Sequence, residues 1–242
     1  MNISKETIVG ELVAEDYKAA SVFKSYEIDF CCKGNRTINE VCESNNLNSQ
    51  SLINDLDKTL NKVESGSMNY KSWSIDLLVD YIEKRHHKYV DDKILEIKPY
   101  LDKTCNAHGK HNPELLEIRA LFNQSAGELT AHMKKEELIL FPFVRQVAKA
   151  MLTGEKIDPA HFGSVENPVN MMKEEHVDEG VRFRKIAELS NNYTIPEGGC
   201  NTYSVTYALL KEFEEDLHLH IHLENNILFP KAIELEKQFV NS

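Results

Sequence analysis

Two segments of the chain share a pattern in which a histidine is followed four residues later by a glutamate and then by an apolar stretch that ends in Phe-Pro. The segments are residues 132–142 and 220–230, and their candidate ligands are His132, Glu136, His220 and Glu224. Residues four apart on an α-helix lie one turn apart on nearly the same face, so each pair directs an imidazole and a carboxylate at one place. Two such pairs suit two first-row transition metals better than one structural zinc. The repeat therefore predicts a dinuclear metal site inside a helical bundle.

Four long segments have helical periodicity, and each carries a histidine near its middle. The segments are residues 74–102, 113–150, 167–190 and 201–238, and the histidines are His86, His132, His176 and His220. Their near-equal spacing marks one level of a bundle of antiparallel helices. Ionised carboxylates are costly in a core unless they are paired or metal-bound, so Glu136 and Glu224 complete a set of six metal ligands. Iron fits this mixed set of nitrogen and oxygen donors, with manganese and zinc as alternatives.

The remaining histidines are predicted to lie outside this site. His218 and His222 flank His220 at two residues on either side, so they face away from it on a helix. His87 follows His86 and should point about 100° away from it around the helix axis. Surface or rim positions are therefore expected for His87, His108, His111 and His161.

The periodicity also predicts the architecture. No segment alternates in the manner of a strand, so we expect an all-α protein, an up-down-up-down four-helix bundle with a small helical N-terminal domain. The segment Glu64–Tyr70 is rich in small residues and places the domains at residues 1–66 and 71–240. Three short helices are expected in the small domain, with a capping box at Thr37-Ile-Asn-Glu40. Helix starts are expected at Asn112-Pro113 and Asn167-Pro168.

Composition restricts the classes of function. The chain has 242 residues, is 41% hydrophobic and 28% charged, and has no apolar run approaching the roughly 20 residues of a membrane span. A net charge of −11 argues against nucleic acid as the main partner. Five cysteines without framework spacing indicate a reducing compartment. We therefore expect a cytoplasmic protein without a membrane or nucleic-acid partner, and we leave the oligomeric state open, a homodimer being one option.

The residues that carry these patterns resemble the YtfE/ScdA group of di-iron proteins for the repair of iron centres. The resemblance rests on His86, His132-x-x-x-Glu136, Glu175-His176, His220-x-x-x-Glu224-Asn225-Asn226-x-Leu-Phe-Pro and the N-terminal stretch Tyr26–Gly34 with Cys31-Cys32. It covers nearly the whole chain. It implies an oxo- or hydroxo-bridged pair of non-haem irons in a hemerythrin-like bundle, a role under nitrosative or oxidative stress, and restoration of damaged iron-sulfur clusters in partner proteins, with the protein as iron donor.

The resemblance leaves the activity open, and no enzyme class is assigned. One alternative is an enzyme that reduces nitric oxide, and a second is a sensor of O2 or NO that signals through the N-terminal domain. A third is an oxygen carrier, which the chain resembles less closely. Such carriers use two histidines on the third helix, where this chain has His176 beside Glu175, and an aspartate at i+5 on the last helix, where it has Glu224 at i+4.

Catalytic residues are not identified, and Cys31 and Cys32 are the candidate thiol site. Close to a helix end and Lys33, a thiolate would be stabilised and could bind iron or NO or take up an electron. Two small buried hydrophobes are an equal alternative. Glu128 and Glu175 are candidates for acids that support the ligands or release iron, and a solvated acidic face explains them equally well.

Overall fold

The computed structural model describes residues 3–61, 68–155, 157 and 160–240, and most of these residues are helical. Within these ranges the β-structure is limited to one isolated bridge between Ile8 and Thr37, so the all-α prediction is confirmed. The chain forms two compact units: residues up to Leu78 together with those from Ile221 onward, and residues Val79–His220. The domain boundary expected at residues 64–70 lies largely outside the described residues. No helix in the described part of the chain is long and apolar enough to cross a membrane.

The first unit begins with short helices. They are α1 (Val9–Glu15), α2 (Lys18–Ser25), α3 (Ile38–Ser44) and α4 (Ser49–Leu60), followed by a 3-10 turn at Tyr70–Ser72. The prediction of three helices is wrong because Asp16 is extended, with φ −145° and ψ 109°, which divides the expected first helix in two. The Asp16 carboxylate accepts a hydrogen bond of 3.0 Å from the N–H of Lys18, which starts α2.

Side-chain caps fix the starts of α3 and α4. The capping box is confirmed, because the Thr37 hydroxyl accepts from the Glu40 N–H at 3.1 Å and the Glu40 carboxylate accepts from the Thr37 N–H at 2.7 Å. The Asn48 side chain caps α4 by accepting from the N–H of Ser51. Such caps each stabilise a helix by about 1 kcal/mol. They position the short helices around a core that includes the buried Phe23 and Leu52.

Two glycines let the loop that carries Cys31 and Cys32 lie directly on α1. The N–H of Gly10 donates to the carbonyl of Gly34 at 2.7 Å. A Cβ atom on Gly34 would lie 2.3 Å from the Phe30 carbonyl oxygen, and one on Gly10 would lie 2.6 Å from Oδ1 of Asn226. A side chain at position 34 would displace the loop backbone, so that position requires glycine, whereas one at position 10 would displace the side chain of Asn226.

The second unit is built from long helices, several of which continue through a π-helical segment. The elements are α5 (Ile75–Tyr81), a π segment (Ile82–His87), α6 (Lys88–His108), α7 (Glu114–Lys135), a π segment (Glu136–Leu140), α8 (Phe141–Thr153), α9 (Glu166–Leu189) and α10 (Asn201–Leu223). After α10 the chain continues in the first unit with a π segment (Glu224–Leu228) and α11 (Phe229–Val240). These helices occupy the four regions in which the sequence predicts long helices.

Contacts between neighbouring helices close the bundle. Helix α7 packs between α6 and α9. The hydroxyls of Thr104 and Thr206 lie 2.8 Å apart and join α6 to α10. The rings of Phe183 and Phe213 stack with centroids 5.5 Å apart and join α9 to α10. The four helices therefore surround one core, as the bundle prediction requires.

The two expected helix starts are placed within two residues of their predicted positions. Helix α7 begins just after Pro113, and Pro168 lies in the first turn of α9. The asparagines do not cap these helices, however. The Asn112 amide donates to the Glu114 carboxylate, and the Asn167 amide donates to the carbonyl of Phe162. Proline therefore marks these starts, since its fixed φ suits the first helical turn. At α9 the hydroxyl of Ser164 also accepts a hydrogen bond of 3.2 Å from the N–H of Glu166.

The π segments explain the Phe-Pro endings of the sequence repeat. The N–H of Phe141 bonds to the carbonyl of Glu136, and the N–H of Phe229 bonds to that of Glu224, in each case five residues back. A proline follows each phenylalanine, and since proline has no N–H, an α-helical hydrogen bond would be missing there. The wider π turn, with hydrogen bonds five residues back, is compatible with the missing N–H of proline. Single π turns inside helices are frequent at functional sites.

Candidate metal centre

The predicted ligands of the second unit are buried inside the bundle. Their exposed fractions are at most 3%, for His86, His132, Glu136, His176 and His220. Ionisable side chains are seldom buried so completely unless they are paired or bind a metal. The four helices therefore bring these residues to the interior, as the periodicity predicts.

His87, Glu136 and His220 form a first group of candidate ligands. Each offers an atom within 4.8 Å of the others. The Nε2 atom of His87 lies 3.3 Å from Oε2 of Glu136, and the rings of His87 and His220 have centroids 5.0 Å apart. Donor atoms that each lie about 2.1 Å from one ion lie roughly 3–4 Å from one another. The group therefore has the dimensions of a metal site.

The prediction that His87 lies at the rim is wrong, since only 1% of it is exposed. His87 ends the π segment Ile82–His87, which turns the chain less per residue than an α-helix, so His86 and His87 both point inward. Among the described residues, the geometry groups His87, and not the predicted His86, with Glu136. The Nδ1 atom of His86 instead donates to the Asp216 carboxylate at 3.0 Å, and its ring stacks on that of His220.

His132 and His176 form a second group. Their Nε2 atoms lie 3.1 Å apart, and Nε2 of His132 lies 3.5 Å from Oε2 of Glu136. The same Glu136 oxygen is thus close to an imidazole of each group. A carboxylate in this position can serve two ions at once.

Glu136 provides a test of whether the site fits a cation. It is fully buried, and neither of its oxygens has a hydrogen-bond donor among the described residues. A buried carboxylate without donors costs several kcal/mol, which a metal ion offsets. Two imidazoles near an otherwise unsolvated carboxylate form a mixed nitrogen and oxygen set typical of iron, manganese or zinc. The residues present therefore fit a metal.

Carboxylates outside the two groups orient the imidazoles. Nδ1 of His87 donates to Glu137 at 3.0 Å, and Nδ1 of His132 donates to Glu175 at 2.7 Å. Since an ionised carboxylate only accepts hydrogen bonds, the proton lies on Nδ1 and the Nε2 lone pair is directed into the site. Sequence analysis identified Glu175 but missed Glu137. The available signal for Glu137 was its position directly after the candidate ligand Glu136.

The charges of these supporting carboxylates follow from their partners. Hydrogen bonds from His132 and Lys135 outweigh partial burial and lower the pKa of Glu175 to about 2. Burial raises the pKa of Glu137, but hydrogen bonds from Lys134 and His87 reverse this effect and lower it overall. Glu128, which the sequence also identified, pairs with Arg182 instead of a histidine. Glu137 and Glu175 are therefore the acids that support the ligands.

Glu224 has the same position in its helix as Glu136. It follows His220 by four residues on a continuous helix, is the first residue of a π segment and is fully buried. It belongs to the first unit, and its two neighbours in sequence hold the cysteine loop of that unit. The Asn225 side chain donates to the carbonyl of Cys31 at 3.0 Å, and that of Asn226 donates to the carbonyl of Phe30 at 3.3 Å.

The other histidines of the last helix lie outside both ligand groups. His218 is half-buried, and His222 is buried in the first unit beside the rings of Tyr17 and Phe30. The Asn226 amide donates to Nδ1 of His222 at 3.0 Å, and burial lowers the pKa of His222 to about 3. His222 is thus a neutral core residue.

His108, His111 and His161 were expected at the surface or rim, and the structure agrees only in part. His111 and His161 are exposed, as predicted. His108 is half-buried and contacts Cys200, a contact that sequence spacing did not indicate.

Asp29, Cys31 and Cys32 form a further group with the potential to bind a metal, because their side-chain atoms lie within 4.8 Å of one another. The two sulfur atoms are 3.7 Å apart. Cys31 is buried, and its hydrogen bond with Cys32 together with burial raises the pKa of its thiol well above the usual range. The expected stabilised thiolate is therefore wrong for Cys31. Cys32 is half-buried.

This helical bundle, with its buried histidines and carboxylates, belongs to the hemerythrin class of cation-binding proteins. Residues 78–232 match the family described as the Hemerythrin HHE cation binding domain. Residues 5–60 match ScdA_N, described as a domain of unknown function. The two matches together cover most of the chain.

Curated relatives extend the comparison to the full length. The chain is 30% identical to the iron-sulfur cluster repair protein ScdA of Staphylococcus haemolyticus, over 95% of this chain and 99% of that protein. It is 32% identical to the iron-sulfur cluster repair protein YtfE of Pectobacterium atrosepticum, over 95% and 97%. A probable iron-sulfur cluster repair protein of Haemophilus influenzae is 30% identical, over 93% and 96%. The chain therefore belongs to the ScdA/YtfE family, and the resemblance inferred from its motifs is confirmed.

Proposed function

We propose that this protein repairs damaged iron-sulfur clusters in partner proteins and that a two-iron centre in its bundle supplies the iron. The single observation that carries the iron-donor proposal is the fully buried carboxylate of Glu136, which lies within 3.5 Å of an imidazole nitrogen from each ligand group and has no hydrogen-bond donor among the described residues. Repair itself is supported by the relatives, which are named iron-sulfur cluster repair proteins. We place this activity in the cytoplasm, where oxidative and nitrosative stress damages such clusters.

The ligand set that we propose differs from the sequence prediction at one position. It consists of His87, His132, Glu136, His176, His220 and Glu224, with His87 in place of His86. Distances support His87, since its Nε2 atom faces Glu136 while His86 bonds to Asp216. Glu224 is included because it repeats the position of Glu136 one turn after a ligand histidine and is fully buried.

The protein residues in this proposal would bind the iron and fix the positions of the protons on its imidazole ligands. Six protein donors for two ions would leave room for small molecules to bind, and iron, when bound, would supply redox chemistry. Nδ1 of His87 and Nδ1 of His132 keep their protons, because each donates a hydrogen bond to Glu137 or Glu175. Both Nε2 atoms therefore keep a lone pair that can bind a metal.

The test is transfer of iron to a damaged client. Iron-loaded protein is mixed with a dehydratase whose cluster has been damaged by nitric oxide or peroxide, and iron transfer and regained activity are followed together. Free ferrous iron at the same concentration is the control for unassisted repair. We expect faster recovery with the protein than with free iron. Equal recovery rates would overturn the iron-donor proposal.

A matched pair of variants connects this activity to the site. Replacing His87 by Ala should abolish assisted recovery, whereas His218→Ala, a half-buried histidine outside both ligand groups, should leave it unchanged. Recovery that survives His87→Ala would contradict the ligand set.

The shared carboxylate favours one alternative function, the reduction of nitric oxide. Glu136 lies close to both ligand groups, so two ions would be side by side and each could bind one NO. Continuous formation of N2O with an electron donor, in the absence of any client, would support this alternative. Oxygen could occupy the same open positions.

A further inference from the structure

A cysteine and a histidine meet far from the metal ligands. Sγ of Cys200 lies 3.1 Å from Nε2 of His108. His108 is the last residue of α6, about 30 Å along that helix from His87 at a rise of 1.5 Å per residue. Cys200 is exposed and directly precedes α10. The pair is therefore accessible from solvent and separate from the metal centre.

The surroundings of this sulfur favour its thiolate form. Backbone N–H groups of Tyr203 and Thr202, at the start of α10, and the imidazole of His108 act as hydrogen-bond donors to it and lower the pKa of Cys200 to about 7. Both a helix amino terminus and a neighbouring imidazole stabilise a thiolate. The Tyr203 ring packs edge-on against His108, with centroids 5.3 Å apart, and positions it. The other ionisable groups acting on Tyr203 are Tyr207, whose hydroxyl lies 3.2 Å from that of Tyr203, Glu114 and Cys105.

The other cysteines of the chain lack this combination. Cys31, Cys42 and Cys105 are buried, and burial raises the pKa of each thiol, with the hydrogen bond to Cys32 as the largest cause at Cys31. Cys32 is half-buried in the first unit. Cys200 alone is both exposed and paired with a histidine among the five.

We propose that Cys200 is a modification site that takes up a small thiol from a small disulfide by thiol–disulfide exchange, with His108 as the residue that holds its thiolate in place. The Cys200 sulfur attacks one sulfur of the disulfide and forms a new S–S bond, while the old S–S bond breaks. The other half leaves as a thiolate with the electron pair and takes a proton from solvent. Cys200 is oxidised, the leaving sulfur is reduced, and the small disulfide is the oxidant.

The size of the expected effect follows from two opposing factors. At pH 7 about half of a thiol with a pKa near 7 is ionised, against a few per cent of an ordinary thiol with a pKa near 8.5. Nucleophilicity of the thiolate falls as its pKa falls, with a Brønsted coefficient of about 0.4–0.5. The net advantage of Cys200 at pH 7 is therefore roughly threefold, and the pH midpoint is the more decisive measurement.

The test measures the reaction of the full-length, metal-loaded protein with 5,5'-dithiobis(2-nitrobenzoate) by stopped flow between pH 5 and 9. We expect a fast phase of one thiol per chain with a midpoint near pH 7. Replacing Cys200 by Ser should remove this phase, and Cys32→Ser should leave it. His108→Asn should keep the number of reactive thiols but move the midpoint upward by about one pH unit, whereas His111→Asn, an exposed histidine nearby in sequence, should not.

Two results of this kinetic assay would overturn the proposal. One is a fast phase that persists in Cys200→Ser, and the other is an unchanged midpoint in His108→Asn. Intact-protein mass spectrometry after incubation with glutathione disulfide extends the test to a biological disulfide. One added glutathione on Cys200, lost in Cys200→Ser, is the expected product, and absence of any adduct on Cys200 would contradict the proposal.

Discussion

The Nε2 atom of His87 lies 3.3 Å from Oε2 of Glu136, and both side chains are almost completely buried. Helical periodicity places His86 at this point of the bundle, one residue earlier. The π segment Ile82–His87 changes the direction of both residues, so the second histidine faces the carboxylate. Which of two adjacent histidines faces the buried carboxylate therefore depends on a local change of helix type.

The assignment of His87 as a ligand in place of His86 leads to a direct prediction. His87→Ala should lower iron content from about two per chain to one or less, because an imidazole of the first ligand group is lost. His86→Ala should retain most of the iron, since this side chain bonds to Asp216. Elemental analysis of both variants, made in iron-replete cells, is the measurement. Loss of iron from His86→Ala alone would restore the assignment based on periodicity.

Glu175 provides a second prediction, about a residue that acts through a ligand. Glu175→Gln should weaken metal binding about 10- to 100-fold, because an amide holds the Nδ1 proton of His132 less well than a carboxylate. Glu174→Gln is the matched control, since that glutamate is exposed and adjacent in sequence. Competition with a chelator of known affinity measures both. If the two variants bind metal equally well, Glu175 does not orient His132.

The repeated motif shows which features of the site can be predicted from the sequence and which cannot. His132, Glu136, His176 and His220 are inside the bundle as predicted, because a pattern of four residues fixes the face of a helix. The pattern assumes an α-helix throughout. Pro142 and Pro230 were the available signals of π geometry, since each lies inside a continuous helix where an N–H is missing. The π segment Ile82–His87 has no proline directly after it, so the face of His87 cannot be predicted from the sequence.

Removal of the metal provides a third prediction. The apo protein should melt well below the iron-loaded protein, because Glu136 and the imidazoles around it would remain buried without a cation. We expect a difference of many degrees in melts followed by helical circular dichroism. Reloading with iron should restore the higher melting temperature. Equal melting temperatures would mean that the site is hydrated and contributes nothing to folding.

The N-terminal loop depends on contacts that sequence periodicity does not report. Gly10 and Gly34 allow the loop to approach α1, and Asn225 and Asn226 bond to its carbonyls. These residues are far apart in sequence and belong to no common repeat. The hydrogen bond from Asn225 to Cys31 links the thiol loop to the residue after Glu224. The adjacent cysteines therefore have a defined position relative to a proposed iron ligand of the same unit.

The last prediction separates chemistry from packing at these two cysteines. Cys31 is buried with a raised thiol pKa, whereas Cys32 is half-buried and lies 3.7 Å from it. If the pair relays iron to a client, Cys32→Ser should keep the metal content and the melting temperature but slow the repair of a damaged cluster, since a thiolate ligand is lost without opening a cavity. Cys31→Ser should also lower the melting temperature, because a hydroxyl replaces a buried sulfur. Stability, iron content and repair rate are measured on the same preparations, with Cys105→Ser as a buried control in the bundle. Normal repair by Cys32→Ser per folded molecule would assign both cysteines to packing alone.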